Sequence, residues 1–341
     1  MSFRQEKRDK IQRYILEKIS QKQPAIVKKT AETFGISLNT VYRYLRELEK
    51  NTVIEKTEKG FRLVKIENII PLSRSDCEKM GEDMVYKEYV KHYLCYLPDH
   101  VIRIWQYSFM EMMNNAIEHS EGKQVTIYIS RDCLATDIMI LDDGIGIFKK
   151  IKEYCHYATL DQAINELFKG KLTTDSKNHS GGGIFFTSRI LDRFAAVSDG
   201  KIFTHDNYNQ ALNNLEDTGL NLLPQGTGTM IYMGLSNFSN KVLKEVFDLY
   251  SDEDGEFTKT SVPVRNIFDD FPVSRSQARR LCHRFENFLE VELDFTGIDE
   301  IGQAFAHEIF VVFQNAHKDV KLVPTHMSRD VERMIHHVKQ G

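Results

Sequence analysis

ILDDGIGIF, residues 140–148, closes an apolar run, TDIMIL at 136–141, with two carboxylates and a Gly-x-Gly turn. An apolar run bounded by such a turn predicts a buried strand. Where the glycines stand, a backbone without Cβ atoms lets a ligand approach closely. Asp142 at the strand end is an acceptor-only group when ionised, suited to an amino donor. A lone Asp-Gly pair specifies only a turn; the weight of this one comes from the segments around it.

Upstream, EMMNNAIEHS (111–120) sets Glu111 and Asn115 four residues apart, hence on one helix face. A buried face would not ordinarily select a carboxylate and an amide. Asn115 can offer its side-chain oxygen to Mg²⁺, and Glu111 can orient or deprotonate an attacking water or hydroxyl. The spacing from Asn115 to Asp142 is 27 residues, room for one more strand and its turns. Downstream, HSGGGIFFTSRILDRF (179–194) opens an apolar helix with Gly181, Gly182 and Gly183, whose exposed N–H groups suit phosphate. A glycine run serves equally well as a hinge. QGTGTMIYM (225–233) then brings Gly228 and Thr229 into a late strand.

In this order, the four segments resemble the ATP-binding boxes of the GHKL superfamily (gyrase, chaperone, histidine-kinase and mismatch-repair ATPases). The resemblance covers residues 86–247. It implies an α/β sandwich with helices over one face of a mixed sheet, and ATP and Mg²⁺ as cofactors. Glu111 becomes the catalytic carboxylate and Asn115 the Mg²⁺ ligand. Asp142, Gly144 and Gly146 take the adenine box, Gly181, Gly182 and Gly183 the second glycine box, and Gly228 and Thr229 the third. A lid spans roughly 148–180, where Lys169, Lys171 and Lys177 could reach phosphates or be merely solvated. No GxxxxGK[ST] occurs, so a Walker site is excluded. NAIEHS is most similar to the histidine-kinase and anti-sigma-factor-kinase branch, yet no helical hairpin with a phosphoacceptor His precedes it. His92, His100 and His119 read as ordinary surface or core histidines.

Two flanking domains are expected. KRDKIQRYILEKIS (7–20) carries Ile11, Tyr14, Ile15 and Ile19 at helical spacing; a short helix ends at Gly35, and Ser37 caps LNTVYRYLRELEK (38–50). TVIEKTEKGFRLVK (52–65) alternates as a hairpin does, so residues 1–65 predict a winged helix-turn-helix. Its recognition helix offers Asn39, Thr40, Arg43 and Arg46 to a major groove, and its wing offers Lys56, Lys59 and Arg62 to phosphates. Residues 66–85 show no clear period and read as a linker. At the other end, SRSQARRL (274–281) and LDFTGIDEIGQAFAHEIF (293–310) resemble a STAS-like domain, assigned to 262–341. There Ile301-Gly302-Gln303-Ala304 replaces the phosphorylated Ser or Thr of antagonist-type STAS domains, and Thr296 is the nearby hydroxyl. A docking or regulatory surface for a protein partner is expected, with Arg275, Arg279 and Arg280 on it.

Charge distribution agrees with this division. Residues 1–65 hold 16 Lys+Arg against 8 Asp+Glu, a net +8, and the remainder holds 29 against 41, a net −12. A basic head on an acidic body points to DNA as a localised partner. No apolar run approaches the roughly 20 residues that span a bilayer, and MSFRQEKRDK is charged where a signal peptide turns apolar. A cytoplasmic location, no membrane partner and reduced cysteines are expected, with a homodimer by analogy of fold alone. The fold class is multidomain α/β: winged helix, GHKL-type sandwich, STAS-like domain. Three chemistries stay open: ATP hydrolysis in a switch coupled to DNA binding, Ser/Thr or His protein kinase activity on a separate partner, and nucleotide sensing without turnover.

Overall fold

Ile11, Ile15 and Ile19 are buried on one stripe of α1 (Phe3–Ser20) and meet Ala31 of α2 (Ile26–Phe34) and Val41, Leu45 and Leu48 of α3 (Leu38–Lys50). The computed structural model describes residues 3–58, 60–172, 181–205, 228–268 and 271–340 of this multidomain, mixed α/β chain. Gly35, at φ 61°, ends α2 in the left-handed region. The Ser37 hydroxyl accepts the Thr40 amide at 3.2 Å to start α3. β1 (Ile54–Thr57) and β2 (Gly60–Leu63) pair antiparallel, Ile54 opposite Leu63, and complete the wing.

Residues 66–85 are structured. β3 (Ile66–Ser73) forms the edge of a six-stranded sheet, and α4 (Arg74–Met80) and α5 (Glu82–Val85) follow directly. The period of two runs through the partly buried Asn68, Ile70 and Leu72 but is obscured by Ile66 and Ile69, which are exposed, and by Pro71. An edge strand tolerates a proline because one side of its backbone needs no partner. A π-turn (Tyr86–Val90) and α6 (Lys91–Leu94) lead into α7 (Asp99–His119), the long helix of the body. Trp105, Phe109, Met112 and Met113 of α7 are fully buried in the core shared with Ile127, Ile129, Ile138 and Ile140 of the sheet.

Strand order in that sheet is β3-β4-β5-β8-β6-β7, with β4 (Gln124–Arg131), β5 (Ala135–Asp142), β6 (Arg193–Ser198), β7 (Lys201–Phe203) and β8 (Thr229–Ser236). Among the described residues every pairing is antiparallel, where a mixed sheet was expected. The crossover through α8 (Ile147–Tyr154), α9 (Leu160–Lys169) and α10 (Gly183–Ile190) makes β6 run parallel to β5. β8 then inserts between the two and separates them. α11 (Leu243–Tyr250) closes the body, its Phe247 edge-on to Tyr107 of α7 at 5.2 Å.

The C-terminal unit is a three-stranded parallel sheet, β11-β10-β9, beginning at Lys259, three residues before the expected boundary. It comprises β9 (Lys259–Pro263), α12 (Val264–Ile267), α13 (Arg275–Cys282), β10 (Glu290–Asp294), α14 (Gln303–His307) with a π-turn (Glu308–Phe313), α15 (Gln314–Ala316), β11 (Lys321–Thr325) and α16 (Arg329–Gln340). Ser274 and Gln277 form a capping box on α13, which gives SRSQ its local meaning.

The units touch. Cys133 and Leu134, in the β4–β5 turn, pack on the winged-helix core, and the Arg13 guanidinium lies 4.4 Å from the centre of the Phe238 ring. All five cysteines are free thiols, and among the described residues no helix is long and apolar enough to cross a membrane. Because β3 covers the edge of β4, a fragment of residues 66–340 should melt cooperatively. One of residues 86–340 should aggregate or melt at least ~10 °C lower, as judged by calorimetry and light scattering.

Candidate functional site

α7, the end of β5, the start of β8 and the N-terminus of α10 converge on one cavity of about 330 Å³. Its lining includes Glu111 and Asn115, Asp142 and Gly146, Gly181 to Gly183, and Thr229, so all four sequence segments contribute. The volume falls at the lower end of the range for small-molecule sites.

Asp142 is 6% exposed. Its Oδ1 accepts the Gly144 amide at 2.9 Å and the Thr229 amide at 3.2 Å, which ties the β5 turn to β8. Burial pushes this carboxyl up to about 6, while the amides and the Thr229 hydroxyl pull the other way. The Thr229 hydroxyl also accepts the Ile147 amide at 3.0 Å, and Asp199 accepts the Lys149 amide at 3.2 Å, so two side chains cap α8. The neighbouring Asp143 points away. Its carboxylate takes the Lys123 and Gln124 amides at 2.7 and 2.9 Å and is held below the usual range chiefly by the Gln124 amide.

Gly144 and Gly228 do not line the cavity. They allow it: a Cβ on Gly144 would stand 2.0 Å from the Ser120 carbonyl oxygen, and one on Gly228, at φ 98°, would stand 1.9 Å from the Asp142 carbonyl oxygen. Gly183 permits a third close approach, since its Cβ would lie 2.2 Å from Glu111 Oε2. The Glu111 carboxylate therefore sits against the electropositive start of α10. One turn along α7, the Asn115 amide nitrogen is 4.0 Å from Met112 Sδ, and its Oδ1 accepts no hydrogen bond among the described residues.

Apolar walls were not foreseen. Ile140, Ile147, Ile151, Ile231, Leu167 and Phe185 give the cavity flat hydrophobic sides, and Lys150 adds a cation whose Nζ donates to the His119 carbonyl at 2.7 Å and to Glu121 at 3.0 Å. The apolar positions were legible only as core periodicity, which does not separate a slot from a filled interior.

The lysines expected to reach phosphates are placed differently. Lys169 is fully buried and donates to Glu166 at 2.7 Å and to the Arg280 and His283 carbonyls at 3.1 and 2.8 Å. Lys171 donates to the Asn287 carbonyl at 2.7 Å. Both face the C-terminal unit. Lys177 lies outside the described residues. Of the three histidines, His100 meets the Ser239 carbonyl at 2.7 Å, His92 packs on Tyr93, and His119 lines the cavity.

On the N-terminal unit, Asn39, Arg43 and Arg46 are exposed on the outer face of α3. Thr40 is partly withdrawn, its hydroxyl 3.0 Å from that of Ser37 within the cap. Lys56 is exposed, Arg62 is paired with Glu55 across the wing, and Lys59 lies outside the described residues. Leu38 and Tyr42 are also exposed on this face and were missed, because a single exposed apolar residue carries no periodic signal. In the C-terminal unit Thr296 is bound to Asp294 Oδ1 through its hydroxyl at 2.6 Å, and Arg279 pairs with the buried Glu308 at 2.7 Å.

Residues 12–67 match a DeoR-like helix-turn-helix domain, and residues 277–332 match a STAS-like domain of unknown function (DUF4325). No curated protein matches the chain. The two matches define the class: a multidomain α/β protein with a helix-turn-helix head of the kind found in DNA-binding transcription regulators and a STAS-like tail. Each match covers a sixth of the chain, and neither includes a residue that lines the cavity.

Gly228→Ala should cost about 3 kcal/mol or more in urea unfolding, since backbone meets the new methyl and φ is positive. Asp142 gives a pH signature of opposite sign to a paired carboxylate. Its folded pKa is raised from 3.8 to about 6, so folding takes up a proton and stability falls as pH rises through that window. Asp142→Asn should flatten the stability profile between pH 4 and ~6 and be at least as stable as the parent at pH 7, where the parent carries the buried charge, measured by denaturant midpoints across pH.

Proposed function

We propose that the body of residues 66–250 is a GHKL-type sandwich that binds ATP with Mg²⁺ and acts as a nucleotide switch coupled to the helix-turn-helix head. The observation that carries this reading is the convergence of four separate segments on one slot with a buried carboxylate at its floor. Asp142 would accept the amino group of adenine between the isoleucine walls, and Thr229 would hold it in place. Such a slot excludes water from one edge of a heteroaromatic ring, which is where a hydrogen bond discriminates most.

The residues present fit the cofactor. Among the described residues the Asn115 carboxamide oxygen accepts no hydrogen bond, and it stands at the cavity one helical turn from Glu111; Gly181, Gly182 and Gly183 lie at the start of α10, whose amides suit phosphate. Among the described residues no group of three His, Cys, Asp or Glu could hold a metal ion by itself. Mg²⁺ commonly relies on one or two protein oxygens and on the phosphates it accompanies, so Asn115 is its protein ligand in this reading. Bound ATP supplies the γ-phosphoryl group. Glu111 is placed to orient or deprotonate the attacking water or hydroxyl.

Coupling to the tail has a physical route. α9 lines the cavity through Leu167 and ends in Lys169, whose buried ion pair with Glu166 is shared with His283 at 3.2 Å and Arg284 at 3.2 Å. A ligand that moves α9 must move these contacts with it. The STAS-like unit then serves as a docking surface for a protein partner. Switching ranks above kinase activity because neither Thr296 nor the Ile301 turn offers a protein phosphoacceptor comparable to those of antagonist STAS domains.

The test is a calorimetric titration of the full chain with ATP·Mg²⁺. Binding to the parent should weaken at least tenfold in Asp142→Asn, and γ-labelled ATP should release phosphate that Glu111→Ala no longer releases while it still binds nucleotide. A folded parent that binds no ATP overturns the reading; label retained on protein favours a kinase instead, and intact ATP a sensor.

A further inference from the structure

α3 presents an unusual pair for a helix facing solvent. Its buried side is supplied by Val41, Tyr44, Leu45 and Leu48, so the opposite face has no part in the winged-helix core. Along the border between the two faces Leu38 is 50% and Tyr42 49% exposed, four residues apart, and therefore adjacent on one ridge. Asn39, Arg43 and Arg46 lie beside them on the outer face, all exposed. Among the described residues both side chains stay half exposed, and the body meets the head elsewhere, through Cys133 and Leu134 on its core and Phe238 on Arg13 of α1. The apolar ridge is thus bordered by cations and amide and left open.

We propose that Leu38 and Tyr42 read the C5-methyl groups of thymine in the DNA major groove, a specificity role that rests on the DNA-binding reading of the head. The geometry favours DNA as the occupant for two reasons. The ridge lies in the N-terminal half of the recognition helix, the part that reaches base edges, with Leu38 at its first position. The surrounding charge, a net +8 over residues 1–65, complements phosphate, so the apolar side chains are delivered to the groove floor by contacts on either side. The apolar feature that a major groove offers to such side chains is the thymine methyl. Asn39 and Arg43 beside them have the complementary capacity, an amide for adenine and a guanidinium for guanine. An A·T-containing half-site is the consequence.

The experiment uses the full chain. A binding sequence is selected from random duplex DNA, and each thymine in it is then replaced singly by deoxyuridine, which removes only the methyl. At one or two positions uracil should weaken the parent by about fourfold, equivalent to the ~0.8 kcal/mol of one buried methyl-sized group. At those positions Tyr42→Ala or Leu38→Ala should bind thymine and uracil DNA equally, with an unchanged melting temperature. Tyr42→Phe should keep the discrimination, since the ring and not the hydroxyl makes the contact. Salt-dependent DNA binding with no loss at any uracil position overturns the methyl-reading role while leaving DNA binding intact. Absence of any salt-dependent DNA binding overturns both and assigns the ridge to a protein contact.

Discussion

The Asp142 carboxylate can be buried only because three backbone segments come closer together than side chains would allow. Its Oδ1 accepts two amides, one from the turn after β5 and one from the start of β8, and Gly144 and Gly228 stand where any Cβ would strike a carbonyl oxygen about 2 Å away. β5, β8 and the Ser120 turn after α7 are thereby locked in one arrangement. The cavity above follows from that arrangement, because α7, α8 and α10 are seated on the same strands. Desolvation holds the carboxyl near 6 and makes it an acceptor with little water to compete for it.

The same body supports both ends of the chain, by different physics. Toward the head, the described contacts are an apolar turn bearing Cys133 and Leu134 and one ring under the Arg13 guanidinium. Toward the tail, one apolar core runs on without a break, Phe257 lying 4.7 Å from Phe185 and 5.6 Å from Phe288, and a buried ion pair is set beside it. Lys169 and Glu166 are almost wholly removed from water, and removing one partner of such a pair leaves an uncompensated charge at a cost of roughly 3–5 kcal/mol. Arg189 reinforces the seam with bonds to the Phe168 and Phe185 carbonyls of the body and, at 2.7 Å, to the Ser261 carbonyl of the C-terminal sheet. The tail is therefore tied to the cavity walls more firmly than the head is.

How much of this was legible follows from which forces leave a local trace. Capping and alternation do, and so Ser37, Gly35 and the wing were read directly from sequence, while SRSQ, a capping box in the fold, was read only as part of a resemblance. Glycines at close approaches do as well, although their role differed from expectation: Gly144 and Gly228 clear space behind the carboxylate and do not face the cavity. Edge strands leave little trace, since half-burial blurs the period, and β3 was read as a linker for that reason. Long-range hydrogen bonds leave none. Lys169 and Lys171 sit in a charged stretch that resembles a solvated loop, and only the fold shows that each donates to a backbone carbonyl more than a hundred residues away.

Charge in the cavity adds a constraint of its own. Glu111 and Asp142 bring two carboxylates to the lining, against one lysine, Lys150, which is already engaged with Glu121. Glu111 also occupies the start of α10, the position with the greatest attraction for an anion. A triphosphate entering alone would meet this carboxylate at close range, where like charges in a partly desolvated site repel strongly. A divalent cation between phosphate and protein removes that conflict, and Asn115, a neutral oxygen donor beside Glu111, is where such an ion adds no further negative charge. In the proposed reading, Mg²⁺ is therefore a condition of phosphate binding and not an accessory to it.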